Sequence, residues 1–115
     1  MPNQNPSLSA LYQSLCSQQD LLSAAIQKTT DQKTADALST ENYEIMHRIV
    51  LTQNLLFAAD SPALQADLQN IQTAAGQLKN TLANFQQAAD VVNGVTQYLV
   101  LVDQALDLAK TLAAA

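Results

Sequence analysis

The stretch "DVVNGVTQYLVLVDQAL" (residues 90–106) decides how this chain folds. Asn93-Gly94 is a strong turn dipeptide, yet apolar residues flank it on both sides with helical spacing. Three readings compete: a turn between two helices, the interior of one long helix, or the edge of a membrane segment. The membrane reading fails first. The longest uninterrupted apolar run in this part of the chain covers residues 98–102, and Asp90, Asp103, Asp107 and Lys110 interrupt the rest. Spanning a bilayer takes about 20 apolar residues.

Phase separates the other two. Upstream, Leu64, Leu68, Ile71, Ala75, Leu78, Leu82 and Phe85 alternate in steps of four and three, the register of a coiled-coil seam. The seam resumes as Ala88, Val92, Val95, Leu99, Val102, Leu106, Ala109 and Ala113, after one three-residue slip between Phe85 and Ala88. No Ser, Thr or Asp stands at 94 or 95 to cap a new helix, and a glycine inside a helix costs only about 1 kcal/mol relative to alanine. The pattern therefore predicts one helix over about 62–113, roughly 80 Å long at 1.5 Å per residue. The alternative is an up-down four-helix bundle broken at 93–94.

Working outward, "ADSPAL" (59–64) marks a sharp helix start. Asp60 or Ser61 is the cap and Pro62 the first helical residue, where a missing N–H costs nothing. A second helix is expected over about 40–59, with Thr40 as cap and Glu41 and Glu44 at its dipole-positive end. Its "IVLTQNLLFAA" half is apolar nearly all round, which points to burial on every side and hence to association. The Thr- and Asp-rich "TTDQKTADALSTEN" (29–42) reads as a loop, with room for one helical turn around Ala35 to Leu38. A first helix over about 7–30 carries Leu8, Leu11, Leu15, Leu22 and Ala25 on one face, widened by Tyr12, Cys16 and Ile26 and capped by Ser7 or Ser9. Residues 1–6 read as a short disordered polar tail. The expected fold class is all-α, a bundle of long amphipathic helices in a single domain over 1–115.

Composition agrees and excludes much else. Ala, Leu and Gln dominate; there are two glycines, three prolines and no tryptophan. Charged residues make up 13% of the chain and the net charge is -5. The five basic residues (Lys28, Lys33, Arg48, Lys79, Lys110) are scattered, which leaves no footprint for nucleic acid and disfavours an anionic membrane surface. One cysteine, Cys16, excludes an internal disulfide. The N-terminus lacks a basic and an apolar segment of signal-peptide type, so the expected location is cytoplasmic, with export by another route left open.

Only "ENYEIMH" resembles a chemical site. Glu44 and His47 form Glu-x-x-His on one helix face, the ligand pair of di-iron four-helix proteins. Such a centre needs about six protein ligands, and this chain has one histidine and two glutamates. The plainer reading pairs Glu44 with Arg48 at i+4. Asp103 and Asp107 share a face with Lys110 close by, as a solvated edge does. Cys16 and His47 lack anything to activate a thiolate, and no glycine-rich phosphate loop or zinc spacing exists. No enzyme activity, cofactor or metal is expected.

The expected function is non-enzymatic assembly or interaction through helix–helix packing, as a homo-oligomer (a dimer first) or with a helical protein partner. The expected interface residues are Ile49, Leu56, Val92, Val95, Leu99, Val102 and Leu106, since helices 1 and 2 could cover only half of an 80 Å helix. Two alternatives use the same residues differently. One is a membrane-active helical protein of pore-forming type that releases segments 49–59 and 91–102. The other is a metal-binding four-helix protein using Glu44 and His47.

Overall fold

A computed structural model describes residues 5–114, so most of the polar tail expected over 1–6 lies outside the described residues. Four helices follow one another: α1 (Pro6–Lys28), α2 (Gln32–Gln53), α3 (Pro62–Asn84) and α4 (Ala88–Ala114). The all-α bundle expected from the sequence is the observed class; the helix boundaries need three corrections.

The long helix over 62–113 does not form, and neither does the break at 93–94. The chain turns at 85–87, at the three-residue slip in the seam, where Phe85 adopts an extended conformation with ψ 146°. Gly94 lies inside α4, and no described residue has a positive φ. Folding back at the slip buries Val95, Tyr98, Leu99, Val102 and Leu106 within the same chain. At about 1.5–3 kcal/mol for each large apolar side chain, that outweighs the few helical hydrogen bonds lost at the turn, worth about 1 kcal/mol net apiece. The molecule is 47 Å in its longest dimension, too short for an 80 Å helix.

The second correction concerns α2, which starts at Gln32 and not near Thr40. Asp31 caps it, accepting hydrogen bonds from the Thr34 backbone N–H (3.1 Å) and hydroxyl (2.6 Å). Leu38, Ile45 and Thr52, seven apart, form its buried seam. The helix also ends early, at Gln53, and residues 54–58 continue as tight turns with bonds such as Ala58 N–H to Leu55 C=O.

The third correction is at the start of α1. Asn5, not Ser7 or Ser9, is the cap, with Pro6 as the first helical residue. Asn5 is buried and makes three bonds: its Oδ1 accepts from Leu8 N–H, its Nδ2 donates to Ala58 C=O at 3.0 Å, and its backbone N–H donates to Leu56 C=O at 2.8 Å. Ser7 Oγ donates to Asp60 Oδ2. These bonds pin the start of α1 to the 54–61 connection. Ser61, one of the two expected caps, then caps α3 ahead of Pro62.

Packing follows a closed ring. α1 lies against α2 and α3, and α4 against α3 and α2, so residues 54–61 cross one end of the bundle diagonally. α1 and α3 run parallel, as do α2 and α4. The core is dominated by leucine, with Tyr98 its largest side chain. Tyr98 Oη lies 2.8 Å from Ser14 Oγ, a hydrogen bond across the diagonal from α4 to α1. Burial pushes the Tyr98 phenol up to about 12, with the Ser14 bond a smaller opposing influence.

Candidate functional site

The inner seam of α2 determines what its outer face presents. With Leu38, Ile45 and Thr52 inward, residues at 43, 46 and 50 fall well over a right angle away or close to it, on the side turned to solvent. Tyr43 is 70% exposed, Met46 41% and Val50 53%. Phe57, in the turns that follow, is 72% exposed. Three large apolar side chains thus share the outer face of α2, and a fourth is exposed in the turns beyond its end. Ser39 and Asn42 join Tyr43 and Met46 around a shallow depression of about 240 Å³. Val100 on α4 is also exposed.

The residues expected to meet another subunit are placed differently. Val95, Leu99, Val102 and Leu106 belong to the chain's own core, because α4 folds back on α3 and contacts α2 as well. Ile49, Leu56 and Val92 are half-buried. The reason for assigning the first four to an interface, a helix too long to be covered, disappears with the long helix. The exposed set Tyr43, Met46 and Val50 was hidden in the sequence by the reading of 29–42 as a loop. The Leu38–Ile45–Thr52 spacing that fixes the phase of α2 begins inside that segment.

Charged groups near this helix are engaged with one another. Arg48, half-buried, reaches Asp103 on α4 with Nε to Oδ1 and Nη2 to Oδ2, both at 3.0 Å, and also pairs with Glu44. The Asp103 bonds raise the Arg48 pKa against the opposing cost of its burial. Glu41 is shifted up, first by burial and then by the neighbouring Glu44 carboxylate. This arrangement bears on the Glu-x-x-His motif. The Glu44 carboxylate is directed to a guanidinium, His47 is exposed, and the described residues contain no group of three or more His, Cys, Asp or Glu placed to hold a metal ion. Asp103 and Asp107 do not act as a carboxylate pair: the first binds Arg48, and the second lies 4.0 Å from Lys110 Nζ. Cys16 is a half-buried free thiol on α1.

No described helix is long and apolar enough to cross a membrane. In comparisons with protein-family models, curated proteins and solved structures, the chain matches none.

Proposed function

We propose that this chain is a non-enzymatic interaction protein, a four-helix bundle that associates through the outer face of α2. The observation that carries the reading is the exposure of Tyr43, Met46 and Val50 on the outer face of α2, with Phe57 also exposed in the turns that follow. Single exposed apolar residues are ordinary, but three on one helix face, a tyrosine and a methionine among them, have the composition that interfaces use. The partner that fits is another helix with a matching apolar stripe, and a second copy laying its own α2 antiparallel on the first satisfies this by symmetry.

Sedimentation equilibrium over a range of protein concentrations tests the reading, with Tyr43→Glu and Val50→Glu as variants. Both positions are on the surface, so the variants keep the helical circular dichroism of the wild type. The expected result is a concentration-dependent dimer that either substitution dissolves. A wild type that stays monomeric at the highest concentration removes self-association. Leakage from lipid vesicles that depends on the same residues would favour the membrane-active alternative instead.

A further inference from the structure

An apolar recess lies elsewhere, between the C-terminal halves of α1 and α3. It is half open to solvent and measures about 400 Å³, within the range of small-molecule sites. Leu21, Leu82 and Phe85 supply its apolar surface, and Ala24 is too small to fill it. Lys28 and Lys79 line it as well, one from each helix.

The charge at this place runs against the rest of the molecule. The chain carries -5 overall with five basic residues. Arg48 is bound to Glu44 and Asp103, and Lys110 faces Asp107. Among the described residues Lys28, Lys33 and Lys79 have no ion-pair partner, and two of these three border the recess. Lys28 stands in the last turn of α1, where the helix C-terminus favours a cation but supplies no carboxylate. Two exposed lysines without a carboxylate partner therefore border an apolar recess.

We propose that this recess binds an amphiphilic monoanion, an unbranched carboxylate of the medium-chain fatty-acid class. The alkyl chain lies against Leu21, Leu82 and Phe85, and the carboxylate sits between Lys28 and Lys79. The site is independent of the α2 face, which lies on a different helix.

Decanoate, kept below its micelle concentration, is the probe, with decanol as the uncharged control. Binding is followed by calorimetry and located by amide chemical shifts. Decanoate is expected to shift residues around 21–29 and 79–85 and to bind at least tenfold more tightly than decanol. Raised salt should weaken it. The exposed double substitution Lys28→Gln/Lys79→Gln should reduce decanoate affinity tenfold or more while leaving decanol unchanged. Ala24→Trp, which fills the recess, should abolish both. The proposal is overturned if decanoate does not bind, if decanol binds equally well, if the lysine variant binds like wild type, or if the shifts map to Tyr43, Met46 and Val50.

Discussion

Replacing Gly94 by alanine probes the continuity of α4 through the Asn93-Gly94 dipeptide. Gly94 is in the interior of α4, so alanine gains about 1 kcal/mol of helix propensity. The new methyl would meet Leu78 Cδ1 on α3 at 3.2 Å and Thr81 Cγ2 at 3.9 Å. The first contact is shorter than the 3.5–4.0 Å optimum for carbon pairs, and Leu78 is a core residue at 1% exposure. Crowding a packed core typically costs about 1–3 kcal/mol. The depression beside Gly94, bordered by Thr81, Phe85 and Asn93, lets the α3 side chains yield and keeps the cost at the low end. The two effects then nearly cancel, and Gly94→Ala alone should change stability by less than about 0.5 kcal/mol. In a Leu78→Ala background, itself destabilised by about 2–5 kcal/mol, the clash is gone and the same exchange should gain the full 1 kcal/mol. Urea denaturation followed by far-UV circular dichroism measures all four corners of this cycle. A loss above about 1 kcal/mol in both backgrounds would refute the reasoning, because it is what a turn with positive φ at Gly94 gives.

Substitutions at two further positions test the ties that hold the bundle. Tyr98→Phe should cost about 1 kcal/mol at neutral pH through the lost Ser14 bond. The Tyr98 phenol titrates near 12 in the fold and near 10 when unfolded, so the unfolded chain loses its proton first and wild-type stability falls from pH 10 upward. That decline amounts to about 2–3 kcal/mol by pH 12, and the variant lacks it. The stability difference between the two proteins should thus shrink and reverse across this window; a pH-independent difference contradicts the burial of the phenol. Asn5→Ala should lower stability by about 2 kcal/mol, combining a lost cap with a lost buried bond to Ala58. Asn5→Asp keeps the cap acceptor but sets a carboxylate against that carbonyl, so it should fail to restore wild-type melting; full recovery would show that the Ala58 bond contributes nothing.

Local signals determined a good deal of this protein. Helix-forming composition, the Ser61-Pro62 start and the apolar seams of α1 and α3 are legible because capping and periodicity depend on residues within one or two turns of each other. Tertiary structure decided the rest. The seam running from Leu64 to Ala113 states which face must be buried but not against what, and a chain folded back at 85–87 satisfies it as well as a second subunit would. Only the ring of helices shows that α4 meets both α3 and α2. That position asks for an apolar face wide enough to include Val91, Tyr98 and Ala105 beside the expected positions. The same ring turns Leu38, Ile45 and Thr52 inward, and so leaves Tyr43, Met46 and Val50 in water. In "IVLTQNLLFAA" apolar residues point in every direction, and the sequence cannot rank those directions; the neighbours on two sides of α2, and their absence on the others, do so.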